Sequence, residues 1–126
     1  MAKQIITTKS APAPIGPYNQ AVLVNKTLYI SGQICIDPST DKLKNRDIQD
    51  ETHQVMQNLR NILQEAGMNF NHVVKTTIFL TDMNQFGAVN EVYGKYFERD
   101  FPARETVQVS ALPKFVNVEI SMIATQ

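Results

Sequence analysis

One long stripe of residues at helical spacing constrains this chain most. Ile48, Thr52, Val55, Leu59, Ile62 and Ala66 recur three or four positions apart, and Met56 and Leu63 widen the apolar face. Asp47 can cap the free backbone N–H groups at its start. Asp50 and Glu51 suit the positive end of its dipole, and Gly67 is a natural stop. Elsewhere the apolar residues fall into short β-type runs: Gln4–Thr8, Ala21–Val24, Thr27–Ser31, Val73–Leu80, Arg104–Ala111 and Val116–Ala124. A second helix follows Asp82, with Phe86, Val89, Tyr93, Tyr96 and Phe97 as its stripe. Gly87 and Gly94 each cost that helix up to ~1 kcal/mol relative to alanine, which close packing would justify. The order βββαβαββ predicts an α/β (α+β) fold, a mixed sheet of about six strands with two helices on one face. The other face then needs a cover, for which a partner subunit is the natural candidate.

Two local features refine this. Ala11-Pro12-Ala13-Pro14-Ile15-Gly16-Pro17 is an extended, stiffened loop, because proline fixes φ and restricts its predecessor. Leu112-Pro113-Lys114-Phe115 is so short a link that the last two strands are expected to pair antiparallel. Pairing about Pro113-Lys114 sets Gln108 opposite Glu119, with Arg104 and Thr106 on the same face. Arg104 and Glu119 are then ~13 Å apart at ~3.3 Å per residue. That is too far for a direct pair, so a site using both needs a spanning ligand or residues from two subunits.

The 126 residues fit one domain, 1–126, large enough to bury a core without staples. Twelve basic and twelve acidic side chains cancel. This argues against nucleic-acid or membrane binding held mainly by bulk charge, and near-zero charge permits self-association. The single cysteine, Cys35, excludes an intramolecular disulfide scaffold. The start, Met-Ala-Lys-Gln-Ile-Ile-Thr-Thr-Lys, lacks a signal-peptide core, and no apolar run approaches the ~20 residues of a membrane span. The expected compartment is the cytoplasm.

No metal-ligand spacing is present. His53, His72 and Cys35 are scattered, and each has a structural explanation as a helix-surface, strand-start or small buried residue. Neither nucleotide fingerprint nor a serine nucleophile elbow occurs. Arg104, at a strand start after Phe101-Pro102-Ala103, could hold a carboxylate through two parallel hydrogen bonds. Glu119 lies between Val118 and Ile120 in an apolar strand, on a solvated face or in a polar site. Tyr18, Ser31-Gly32 and Asn90 each have an ordinary explanation taken singly: loop packing, the end of a strand, a helix surface.

Taken together and in order, these residues resemble the RidA (YjgF) family of reactive-intermediate deaminases. The resemblance runs through Ile15-Gly16-Pro17-Tyr18-Asn19-Gln20-Ala21, Ser31-Gly32-Gln33-Ile34, Val74–Leu80 with Asp82, and Val89-Asn90-Glu91-Val92-Tyr93. It ends with Phe101-Pro102-Ala103-Arg104 and Val118-Glu119-Ile120. It implies a chorismate-mutase-like fold and a homotrimer with clefts between subunits. It implies hydrolysis of short-lived enamines and imines, of the 2-aminoacrylate and 2-iminopropionate type, to 2-keto acids and ammonia, without cofactor or metal. By position, Arg104 would clamp the substrate carboxylate, and Glu119 would activate the water and manage its protons. Ser31, the Gly32 backbone, Tyr18, Asn90 and Thr106 would line or support the substrate site. Glu105 stands where the family has a small residue, and Thr106 where many members have Cys; alternation aims Glu105 off the Arg104 face, towards a subunit contact or the core side.

A ligand sensor or regulator of the same fold, binding a small 2-keto carboxylate or amino acid without chemistry, is the competing function. Retention of Glu119 beside Arg104 favours the enzyme, since a carboxylate sensor has no evident need of a second acid. An RNA role is disfavoured by the neutral charge and the lack of a basic, aromatic-laced stripe.

Overall fold

The computed structural model describes residues 2–126. It contains β1 (Gln4–Ile6), β2 (Ala21–Val24), β3 (Thr27–Gln33), β4 (Ile36–Asp37), β5 (Lys42–Leu43) and α1 (Ile48–Glu65). Beyond α1 come β6 (Val73–Leu80), α2 (Phe86–Gly94), β7 (Ala103–Gln108) and β8 (Val118–Thr125). Six strands form one mixed sheet in the order β1-β2-β3-β8-β6-β7, and β4 and β5 form a separate two-stranded ribbon between β3 and α1.

Helix α1 starts as its sequence dictates, with the Asp47 side chain accepting from the Asp50 N–H at 2.8 Å. Gly67, at φ 73, lies just past its end. Val55, Met56, Leu59, Ile62 and Leu63 of α1 are fully buried against Leu28, Ile78, Leu80, Val118 and Ile120 of the sheet, with Val89 and Tyr93 of α2 completing the core. Nothing lies within 4 Å of a Cβ added at Gly87 or Gly94, so close packing does not account for either glycine.

The opposite sheet face carries no helix. Ile5, Val22, Tyr29 and Ile123 lie in register across it, as do Val107, Phe79 and Glu119. Ile5, Tyr29 and Val107 there are 43, 50 and 42% exposed. This is an apolar face left open, as expected of a sheet covered on one side only.

One pairing differs from expectation. β7 and β8 do not form a hairpin, because β6 lies between them. The β6-α2-β7 crossover lays β7 parallel to β6, Thr76 opposite Arg104 and Leu80 opposite Gln108. The chain from 109 to 117 then passes over the end of β6 and returns antiparallel as β8. Val109 N–H donates to Leu80 O (2.8 Å) and Thr81 N–H to Asn117 O (3.1 Å), pinning that passage. Glu119 therefore faces Phe79, not Gln108. Arg104, Thr106 and Gln108 align with the core-facing Thr76, Ile78 and Leu80, on the opposite face from Glu119. A short link makes two strands neighbours only when no third strand is already seated between them, and here the helical crossover has seated β6 there.

Candidate active site

The seven candidate residues fall into two groups. The first surrounds Glu119. Ser31 and Gly32 do not end a strand: β3 runs on to Gln33, with a register shift between Ile30, which faces Met122, and Gln33, which faces Ile120. Two residues thus oppose one, a bulge that bends the strand. The missing side chain of Gly32 leaves the space Glu119 uses. A methyl at that position would stand 2.8 Å from Glu119 Cδ and closer still to Oε2.

The stiff loop 11–17 supplies the wall. Gln20, buried, clamps it: its amide donates to Pro12 O (2.8 Å), Thr8 O (3.0 Å) and Ala11 O (3.2 Å), and its oxygen accepts from Thr8 N–H (2.7 Å). The Tyr18 hydroxyl accepts from Ile15 N–H at 3.2 Å. Ser31 Oγ donates to Asn19 O at 2.6 Å, which leaves its lone pairs for an incoming donor. The resulting cleft is lined by Pro12, Pro14, Ile15, Tyr18, Gly32, Ile34, Pro113 and Glu119, with Ser31 at its outer part.

Glu119 is half-buried and has no hydrogen-bond or ion-pair partner among the described residues. Burial alone raises its carboxyl above the usual 4.5. A carboxyl so tuned can hold and release a proton nearer neutrality than an exposed one.

The second group surrounds Arg104, on the helix side of the edge strand β7. Its guanidinium lies over two rings of α2, 5.2 Å from the centroid of Tyr93 and 5.5 Å from that of Phe86. The Tyr93 ring is fixed in turn, its hydroxyl donating to Thr76 Oγ1 at 3.0 Å. Burial raises the Tyr93 hydroxyl, opposed by that bond and by Arg104. Asn90, four residues after Phe86 and three before Tyr93, shares their helix face. Thr106, two residues on from Arg104 on the same strand face, has a buried hydroxyl oxygen with no partner. Among the described residues the ion pairs are Arg46–Asp50 and Lys75–Glu105, so no carboxylate occupies Arg104. A preoriented fork of donors with an open face suits an incoming carboxylate.

Glu105 does not compete for it. It lies on the open face, 3.0 Å from Lys75 Nζ and bonded to the Thr77 hydroxyl, and those two partners, Thr77 first, hold its carboxyl below the usual range. His53 Nδ1 pairs with the Tyr96 hydroxyl at 2.9 Å, and His72 Nδ1 accepts from Asn69 N–H at 3.0 Å. Cys35 is buried, and burial pushes its thiol up to about 11. All three residues are structural.

Sequence reasoning missed the groups that hold the site in place. Glu51 is not merely a dipole partner of α1. It is fully buried, and its carboxyl accepts from Asn117 N–H (2.7 Å), Asn117 Nδ2 (2.9 Å) and Val118 N–H (2.9 Å), fixing the start of β8 next to Glu119. Its position one turn before Val55, on the buried stripe, was the available signal. Glu51→Ala leaves those N–H groups without an acceptor and should cost about 3 kcal/mol of unfolding free energy in urea melts. Gly32→Ala should displace the Glu119 carboxyl, lowering turnover roughly tenfold or more while the thermal midpoint falls only slightly. A wild-type rate in that variant would separate the Gly32–Glu119 contact from activity.

Residues 8–126 match the family described as Endoribonuclease L-PSP. A Mus musculus 2-iminobutanoate/2-iminopropanoate deaminase is 52% identical over 124 residues, covering 98% of this chain and 92% of that protein. The crystal structure of a Rid-family protein from Yersinia pestis superposes with a TM-score of 0.96 at 50% identity, covering 99% of this chain and 100% of that one. The structure of E. coli TdcF with bound serine does so at 0.94 with 39% identity, covering 98% of each chain.

Proposed function

Since this chain belongs to the family described as Endoribonuclease L-PSP, which is the RidA/YjgF family, we propose that Arg104 and Glu119 carry the deamination named for its mammalian relatives. The protein is an imine and enamine deaminase: it hydrolyses reactive 2-imino and 2-enamino acids to 2-keto acids and ammonia. The observation that carries the residue assignment is the partnerless, half-buried Glu119 carboxyl lying on Gly32 in an apolar cleft.

The two groups must come from two subunits. Within one chain Arg104 and Glu119 lie on opposite sheet faces, with β6 between their strands. A homotrimer, its three open sheet faces turned inward, would bring the edge strand β7 of one copy to the Glu119 cleft of the next and bury the exposed apolar residues of those faces. The Lys75–Glu105–Thr77 cluster then belongs to the subunit contact.

Arg104 holds the substrate carboxylate through its fork, with Asn90 and Thr106 beside it. Tyr18, Ser31 and the Gly32 backbone bound the reacting end. Glu119, as carboxylate, takes a proton from water as its oxygen bonds to the carbon of the protonated C=N group, whose electron pair moves to nitrogen. The neutral tetrahedral amino alcohol then collapses. Glu119 gives its proton to the amino nitrogen, the C–N bond breaks and ammonia leaves, and the hydroxyl passes its own proton to the Glu119 carboxylate as the C=O forms. An enamine first takes a proton at its β-carbon to become the imine. E. coli TdcF was solved with bound serine, a small amino acid with the same carboxylate, which supports a small carboxylate as this chain's ligand. Partners are thus a second and third copy and small 2-imino or 2-keto carboxylates. No helix of the described residues is long and apolar enough to cross a membrane. A cytoplasmic setting agrees with the unpaired Cys35.

The test is keto-acid and ammonia release from freshly generated 2-aminoacrylate, with and without the protein. Acceleration at catalytic protein concentration is expected. Tight pyruvate binding without acceleration would transfer the cleft to a sensing role.

A further inference from the structure

The turn before β8 carries a residue that neither packing nor backbone geometry explains. Lys114 (φ 55) and Phe115 (φ 56) both hold left-handed backbone, a conformation that favours glycine or asparagine. Phe115 is also 87% exposed, more than any other large apolar side chain among the described residues. A phenylalanine that is both strained and unburied contributes little to folding. Backbone outliers of this kind point to a functional demand.

Its position says which demand. Phe115 N–H donates to Leu112 O at 2.9 Å, closing a single turn whose first residue, Pro113, lines the Glu119 cleft. Ile15 (54% exposed) and Tyr18 (45%) line the same cleft. Ile15 and Tyr18 are thus left open at the mouth of this cleft, and the turn that brings Pro113 to it carries Phe115 two residues on. Resting on the deaminase reading, we infer that Phe115 is a specificity-determining residue: with Ile15 and Tyr18 it forms an apolar collar that receives the substrate's side chain. The collar favours imines bearing branched or aromatic side chains over the alanine-derived one. An alanine-type imine carries only a methyl and reaches little of the collar, whereas a leucine- or phenylalanine-type side chain extends outward from the reacting carbon onto it.

The experiment compares the wild type with Phe115→Gly and Phe115→Asn, both at ease with positive φ, so neither variant loses stability through the backbone. Imines are generated from alanine, leucine and phenylalanine by an amino-acid oxidase. In both variants kcat/KM for the leucine- and phenylalanine-derived imines should fall roughly tenfold. That for the alanine-derived imine should stay within about twofold. Affinities for pyruvate, 4-methyl-2-oxopentanoate and phenylpyruvate should separate in the same way. Parallel losses on all three imines, unchanged values throughout, or a variant that no longer assembles like the wild type would each overturn the collar. If the wild type accelerates no imine, the deaminase reading falls by itself. The keto-acid affinities still decide the collar, because equal affinities in wild type and variants would overturn it.

Discussion

Arg104→Ala should lower turnover of the alanine-derived imine by about two to three orders of magnitude while leaving the fold intact. Its guanidinium contacts two rings and no carboxylate, so the fold loses only cation–π contacts worth ~0.5–1 kcal/mol. A substrate carboxylate loses both arms of its anchor. Arg104→Lys should recover only part of the rate, because an ammonium keeps the charge but not the planar fork that lies over Phe86 and Tyr93. The same variant tests where the site lies. Mixed with Glu119→Gln protein, unfolded and reassembled, each hybrid trimer regains one intact cleft of three, built from the Arg104 of one chain and the Glu119 of another. Random mixing makes about three quarters of trimers hybrid, so about a quarter of wild-type activity should return. No recovery from protein shown to be trimeric would mean that the two residues do not meet across a subunit boundary.

Much of this architecture was legible in the residues. The α1 stripe, its Asp47 cap and the run of β-branched residues in β6 are local signals, and local signals need no knowledge of what packs where. The β7–β8 pairing was not legible, because strand order depends on where a helical crossover delivers its strand, and the sequence on either side of Pro113 looks the same whether or not β6 intervenes. That error put Arg104 on the face of Glu119. Their separation survives the correction, for in both geometries one chain cannot bring the pair together. The individual site residues stood out only as an ordered set. Taken singly, a serine before a glycine in a strand reads as strand end, and the bulge that makes it a site appears only when β8 is laid alongside. Glu51 and Gln20 were hidden for a related reason: a buried polar residue is recognised by its partners, and theirs are 66 residues and 8 to 12 residues away.

Glu119→Gln should slow hydrolysis by about a hundredfold or more while changing pyruvate affinity only a few-fold, since a general base acts on the water and not on the bound keto acid. Equal losses in both would make Glu119 a binding group and not a chemical one. The same substitution should raise stability at neutral pH. The folded-state carboxyl lies above its ordinary 4.5 because burial disfavours its charge, with no partner among the described residues of its own chain to compensate. Below that ordinary value the side chain is protonated folded and unfolded, and glutamate costs nothing relative to glutamine. As pH rises through the folded value, the unfolded chain ionises freely and the folded one does so against burial, so stability is lost. The wild-type thermal midpoint should therefore fall relative to Glu119→Gln as pH is raised from acid to neutral, by a modest amount because half of the group remains wet. The acid limb of kcat/KM should sit above the ordinary carboxyl range and vanish in the variant. The two pH effects have one origin. The apolar walls that Pro12, Pro14, Ile15 and Pro113 set around the carboxyl destabilise its charged form in the folded protein and, by the same effect, bring its proton into the range where water can be activated and ammonia released.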